Sequence, residues 1–472
     1  MKIRELSAQI EAGNLSCVQL AQVCLKRIEE NDRAGRKLNS VALIDPDVLK
    51  EAEKIDEEIR RNGRRSPLHG VPVLLKDNID IKGMPTTAGS LALQDLIAEK
   101  DAFITEKLRK AGALILGKTN LSEFAYFMSR NEMPSGYSSL GGQVVHAYVP
   151  GRDPSGSSSG SAVAVAARFV PYTIGTETDG SLMSPSIANA IVSLKPTVGL
   201  VSRSGILPLS CFQDTAGPMG TSVEDIAEVL QVIAGKDEDD PASATCRIDD
   251  YTKALKTDGT GLKVGIYRCK TREEDDVALQ KAKEILQAAG AEVKEVGIEK
   301  VMLDETECLK NEFRYSLNRY LDEHGSACRS LSDIIAYNRA HPEKCLVHGQ
   351  DLLEASDACS GDLTEPGYVS ARNGLTEEAH RLLDGTLEKY GVHCLLSAGA
   401  RPQSNLAPVS QNPCMTIPAV SQNGENFEPV SYYLMAGAFQ ESVLIHTAYI
   451  LEDALQVHCR PSWVDDDFSM TF

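Results

Sequence analysis

An α/β fold is predicted by three observations. Helical and strand-like patterns alternate along the 472-residue chain, the strand-like runs are short and apolar, and 42% hydrophobic against 24% charged residues suits a sizeable buried core. In chain order, residues 3 to 31 carry two amphipathic helical patterns, with Ser16 placed to cap the second ahead of Val18, Leu20, Val23 and Leu25. A basic, glycine-containing connector, RRNGRRSP, separates them from Val71 to Leu75, whose apolar run reads as a buried strand. Residues 105 to 110 continue as helix and lead into a strand at Ala113 to Leu116. Small and apolar residues from Ala162 to Phe169 predict a tightly packed helix, followed by a strand at Tyr172 to Gly175. Lys263 to Tyr267, Asp276 to Ala288 and Ala291 to Val296 then read as strand, helix and strand.

From about Leu303 to Tyr390 the pattern is helical almost throughout, as in an insertion or lid. Strand signals return at Val392 to Leu396 and Val430 to Leu434, and an amphipathic stretch from Glu441 to Leu455 closes the chain. Strand material on both sides of the helical region predicts one domain with an elaboration rather than two domains.

The formal net charge of −19 opposes phosphate backbones and anionic lipid surfaces, so neither nucleic acid nor membrane is an expected partner. No apolar h-region follows the first basic residues, and no run of about 18 apolar residues occurs. Twelve cysteines from Cys17 to Cys459 lack CxxC or zinc-like spacing and read as reduced small hydrophobes of a cytoplasmic protein. Nine dispersed histidines include no HExxH, so no metal and no other cofactor is expected. Homo-oligomerisation is left open.

Residues 112 to 119, GALILGKT, match the G-x-x-x-x-G-K-[ST] phosphate loop in form. A phosphate loop follows a strand and opens a helix, whereas here Ala113 to Leu116 are themselves the strand, so nucleotide binding is not expected. The Ser/Gly stretch Gly156 to Ser161, GSSSGS, reads in isolation as a flexible linker. An apolar helix follows it directly, and a second turn, Gly175 to Ser181 (GTETDGS), comes one helix and one strand later. Glycines inside so dense a unit point to a backbone that approaches a ligand closely or adopts unusual dihedrals.

The order KDNI (76–79), GKTN (117–120), GSSSGS (156–161), GTETDGS (175–181), LKPT (194–197) and DTAGP (214–218) resembles the amidase signature family. The match is close over about residues 60 to 235 and weaker at the N-terminal helices and at MTIP (415–418). The resemblance implies a mixed, twisted central β-sheet flanked by helices, with N-terminal helices to about residue 60, a core to about 235 and a helical variable region at about 303–390. It also implies hydrolysis or transfer of a carboxamide by a Ser-Ser-Lys triad, with Ser181 as nucleophile, Ser157 as bridging serine preceded by a cis peptide, and Lys76 as base.

That chemistry is intelligible in itself. A serine hydroxyl needs a positioned base, and Lys76 serves only if burial behind Val71 to Leu75 keeps it neutral. Backbone N–H groups of Thr178, Asp179, Gly180 and Ser181 are the candidate oxyanion hole, with Gly156, Ser158, Asn120 and Asp214 expected to support the site. For Asp214, capping of a turn competes with that supporting role.

The chain also departs from the commoner family pattern. Asp179 stands where many members have glycine, Met183 where they have arginine, and Ser159 where glycine is frequent. The TETDGS form is similar to the branch that contains peptide amidases. An absent arginine makes a carboxylate-bearing substrate less expected, leaving neutral or peptide-like amides. Phe313, Tyr315 and Tyr320 are candidates for a pocket wall, although their helical spacing favours core packing. Two other readings are an amidase subunit of a tRNA-dependent amidotransferase, and a non-catalytic binder on the same scaffold.

Overall fold

The apolar run near residue 75 forms the strand Pro72–Lys76, buried along its whole length, as expected of a parallel strand covered on both faces. In this computed structural model, which describes residues 2–268, 272–299, 303–399, 405–421, 427–457 and 459–464, it lies within an 11-stranded sheet. The strands are β1 (Val41–Ile44), β2 (Pro72–Lys76), β3 (Leu114–Thr119), β4 (Tyr172–Glu177), β5 (Val192–Lys195), β6 (Thr215–Gly220), β7 (Lys263–Tyr267), β8 (Glu292–Val296), β9 (Cys394–Ala398), β10 (Cys414–Pro418) and β11 (Ser431–Ala436). Their spatial order is β1-β3-β2-β4-β6-β5-β10-β11-β9-β7-β8. Parallel pairs β3/β2/β4 and β9/β7/β8 flank an antiparallel centre, so the sheet is mixed.

Strands that precede the helical region and strands that follow it join in this one sheet, with β5 beside β10 and β7 beside β9. Helices flank it. The first two, Ile3–Glu11 and Cys17–Arg27, lie where periodicity placed them, and the Ser16 hydroxyl caps the second by accepting from Gln19 N–H at 3.0 Å. The connector RRNGRRSP is shorter than expected, because Arg60, Arg61 and Asn62 are the last turn of a helix over Val48–Asn62. The small-residue helix begins earlier than predicted, at Ser159, and ends at Ala166; every residue in it is buried, and only small side chains allow that packing. Residues 306–390 form five helices, as the pattern predicted. Among the described residues no helix is long and apolar enough to cross a membrane.

Strands β1, β5, β6 and β10 had no separate sequence prediction. Strand β6 reads TAGPMG and carries Pro218 opposite Ile174, against the usual confinement of proline to sheet edges. In the phosphate-loop look-alike, Gly117, Lys118 and Thr119 belong to β3 rather than opening a helix. Lys118 is wholly buried, 3.3 Å from the Asp77 carboxylate and donating to Thr86 Oγ1 at 2.7 Å, so it anchors the core.

Candidate active site

Parallel strands β2 and β4 end side by side, Leu75 opposite Ile174, so Lys76 and the pair Thr176–Glu177 emerge at the same carboxyl edge. Such edges are where α/β sheets present their ligand sites. The loop before the Ser159–Ala166 helix closes over that edge and carries a cis peptide between Gly156 and Ser157. Gly156 has no room for a side chain, since a Cβ there would lie 2.4 Å from Ser122 Oγ.

Lys76 is fully buried and donates to Ser157 Oγ at 2.8 Å, Thr176 Oγ1 at 2.9 Å and the Thr176 carbonyl at 3.3 Å. Burial brings its pKa down to about 7, against the opposing pull of the Asp214 and Glu177 charges. A lysine that is substantially neutral near physiological pH can accept a proton, so Lys76 has the character of a base. Ser157 is 1% exposed and Ser181 6% exposed, and both line a cavity of about 320 Å³ with Thr178, Asp179, Gly180 and Glu305. Ser158 does not face the cavity. Its hydroxyl donates to the Thr176 carbonyl at 3.0 Å and accepts from Thr176 N–H at 3.2 Å, while its N–H donates to the Ser181 carbonyl at 3.2 Å.

The turn that carries Ser181 is held from beneath by Glu177, whose Oε2 accepts from the N–H of Leu182 at 2.6 Å and of Met183 at 3.0 Å. Gly180 supplies the turn with a φ of +73°, a left-handed conformation suited to glycine, and its N–H also faces the Glu177 carboxylate. Asp214 bonds to two segments of the chain. Its Oδ2 caps a turn by accepting from Leu209 and Ser210 N–H at 2.7 and 2.9 Å, and its Oδ1 accepts from Thr178 Oγ1 at 2.5 Å. Burial raises its carboxyl to about 6.

Asn120 stands apart from the cavity as a strut. Its side chain donates to the carbonyls of Asn39 and Gly141 and accepts from Ser138, while its own carbonyl accepts the Gly160 N–H. Met183, where the commoner family pattern has arginine, is 2% exposed and does not line the cavity. Buried Lys195 instead supplies the positive charge acting on Glu177. Ser159 donates to the Ser155 carbonyl at 2.5 Å. Phe313 and Tyr320 are core residues, the former edge-to-face with Phe124 and Phe127, whereas Tyr315 lies partly exposed under Arg319.

Sequence reasoning missed Thr176 and Glu177 as working residues, although both sit inside GTETDGS. It also missed a buried chain from the helical region. Gln213 Nε2 donates to the Thr178 carbonyl at 3.3 Å and to Glu305 at 2.7 Å, and its Oε1 accepts from Arg372 at 2.6 Å. Arg372 pairs with Glu312, which also accepts from Tyr368 and Ser210. Isolated polar residues far apart in sequence carry no local signal of such a chain. Among the described residues no group of three or more potential metal ligands occurs.

A buried lysine amine bonded to a serine, beside a second serine on a glycine turn, is an arrangement whose chemistry suits acyl transfer. The family profile described as Amidase matches residues 19–398, and the chain belongs to that family of amide-hydrolysing enzymes. Its structure is similar to that of the native peptide amidase from Stenotrophomonas maltophilia, with a TM-score of 0.92 and 41% identity over 98% of this chain and 99% of that one. In sequence it is 34% identical to a probable amidase of Arabidopsis thaliana, over 98% of this chain and 91% of the relative. It is also 31% identical to a glutamyl-tRNA(Gln) amidotransferase subunit of Microcystis aeruginosa, over 98% and 99% of the two chains.

Proposed function

We propose that Ser181 attacks the carboxamide of a neutral or peptide-like amide and that ammonia or an amine leaves. Lys76 takes the Ser181 proton by way of Ser157 and returns it to the departing nitrogen; water then releases the acid from the acyl-enzyme by the same route. Backbone N–H groups of the turn Thr178–Ser181 stabilise the oxyanion, with Gly180 shared between this role and the Glu177 carboxylate. Gly156, Ser158, Asn120 and Asp214 hold the two serine-bearing loops in register.

The observation that carries this reading is the buried Lys76 amine, brought down to about 7 and 2.8 Å from Ser157 Oγ at the cavity that Ser181 lines. Similarity to a peptide amidase in both fold and sequence, with a TM-score of 0.92 and 41% identity, supports release of product to water over transfer to a partner. We read the chain as one domain, on the strength of the shared sheet, and as a cytoplasmic protein acting without nucleic acid or membrane. The test is ammonia release from a panel of aliphatic, aromatic and peptide amides, expected for the wild type and lost in Ser181→Ala. Undiminished turnover in that variant overturns the assignment.

A further inference from the structure

The helix over Thr306–Glu323 has different surroundings at its two ends. Near its start Leu309 lines the cavity that holds Ser181, and one turn on Phe313 packs edge-to-face against Phe124 and Phe127. At 1.5 Å of rise per residue, the other end lies about 20 Å further along the axis. There Tyr320 and the cap residue His324 are stacked, with ring centroids 3.9 Å apart, and both meet Asp80. The Tyr320 hydroxyl donates to Asp80 Oδ1 at 2.7 Å, and His324 Nε2 lies 2.7 Å from Asp80 Oδ2.

Asp80 is a fixed anchor, four residues after Lys76 and 1% exposed. Its N–H donates to the Gly205 carbonyl at 2.8 Å, and its carbonyl accepts from Ala102 N–H at 3.0 Å and Thr105 Oγ1 at 2.8 Å. His324 meets an acceptor on its other side as well, since Nδ1 lies 2.8 Å from the Tyr320 carbonyl. A carbonyl oxygen has no proton to give and a carboxylate only accepts, so both ring nitrogens must carry hydrogen for both bonds to exist. That form is the imidazolium. A neutral ring sets a lone pair against one of the two oxygens, and the bond there becomes a repulsion.

The charged and titratable groups acting on the ring are Asp80, from the loop after β2, and Glu323 on its own helix. Behind Asp80 stand Tyr320, Lys118 and Asp77. Burial works against the imidazolium, but the bonds to Asp80 and to the Tyr320 carbonyl outweigh it and hold the ring above the ordinary 6.5. The negative end of the helix dipole acts in the same direction.

We propose that His324 and Asp80 form a pH-operated clasp, which pins the end of the cavity-lining helix to the loop following Lys76 while the imidazole is protonated and slackens when the proton leaves. A group raised on folding contributes its full stability below about 6.5 and loses it as pH climbs through the folded value. The bond from Tyr320 to Asp80 survives that change, so the helix is loosened rather than detached. On the reading of the cavity as the amidase site, a loosened helix moves Leu309 and Phe313 away from the substrate and raises KM.

Hydrogen exchange read by mass spectrometry on the whole protein, at pH 6 and pH 9 and corrected for the intrinsic pH dependence of exchange, tests the clasp without any substrate. Residues 306–323 of the wild type are expected to lose protection by at least about tenfold between the two, which is about what one charge-assisted hydrogen bond contributes. His324→Gln keeps an N–H toward Asp80 but does not titrate; it is expected to be less protected at pH 6 and to show no such step. The difference between the two proteins isolates the ring from groups that titrate elsewhere. The His324 ring resonance, assigned by its disappearance in His324→Gln, is expected to titrate above 6.5. A step of equal size in both proteins, or a ring that titrates at or below 6.5, overturns the proposal and leaves the amidase reading intact. For an amide hydrolysed at both pH values, KM is expected to rise by a larger factor in the wild type than in His324→Gln, and equal factors overturn the link to the cavity. A wild type inactive on every amide overturns the amidase reading, while the exchange result still decides the clasp.

Discussion

Replacing Lys76 with methionine, a side chain of similar length without charge, is expected to abolish turnover and yet make the protein more stable at neutral pH. Burial lowers this lysine from an ordinary 10.5 to about 7. At about 1.4 kcal/mol per pKa unit, holding the charged form inside the folded protein costs on the order of 5 kcal/mol at pH 6.5. The variant loses bonds to Ser157 and Thr176, worth about 1 kcal/mol each, which leaves a net gain of about 2–3 kcal/mol.

The sign of the pH dependence is set by which state binds the proton. Between about 7 and 10.5 the unfolded lysine is protonated and the folded one is not, so the wild type gains stability as pH rises through that window. The variant has no such group, and its advantage shrinks by about 2–3 kcal/mol between pH 6.5 and pH 9. For a chain of this length that corresponds to about 2–3 °C in melting temperature, read by calorimetry on the two proteins in matched buffers. Titrating groups that do not interact with Lys76 are common to both and cancel in the difference; Asp214 and Glu177, whose charges act on it, are the exceptions. A melting difference that stays constant from pH 6.5 to pH 9 refutes a lysine held neutral by burial.

Three further expectations can be checked separately. The profile of kcat/KM rises with pH through about 7 as Lys76 loses its proton, and Asp214→Asn moves its midpoint to lower pH because the Asp214 charge favours the ammonium form; an unmoved midpoint contradicts that coupling. Gly156→Ala forces a methyl group against Ser122 Oγ and is expected to lower stability by about 1–3 kcal/mol and reduce kcat, measured by denaturation and steady-state kinetics. Arg372→Met strands the buried Glu312 charge and is expected to cost about 3–5 kcal/mol, with melting temperature as the readout.

The parts of this molecule legible in its sequence were those written in contiguous residues. Lys76, Ser157 and Ser181 each sit in a short motif, and Pro72–Lys76 and Lys263–Tyr267 announce themselves by apolar runs. Strand β6 does not, because Gly217 and Pro218 interrupt any period and only the neighbouring strands make TAGPMG extended. The depressed pKa of Lys76 was inferable in direction from its apolar neighbours, whereas the Asp214 and Glu177 charges acting on it required the fold.

Gln213, Glu305 and Arg372 were beyond sequence reasoning for a different reason. They span 159 residues, and each alone resembles an ordinary surface polar residue; their meaning lies in mutual burial. Met183 shows the converse. Its departure from the family pattern was visible, but its burial and the bond from its N–H to Glu177 required the fold.

The mechanism turns on Ser181 being the residue that becomes acylated. Incubation with a fluorophosphonate followed by peptide mass spectrometry tests this directly: the adduct is expected on Ser181, formed faster as pH rises through about 7 and absent in Ser181→Ala. An adduct on Ser157 or on another serine, with Ser181 unmodified, would contradict it.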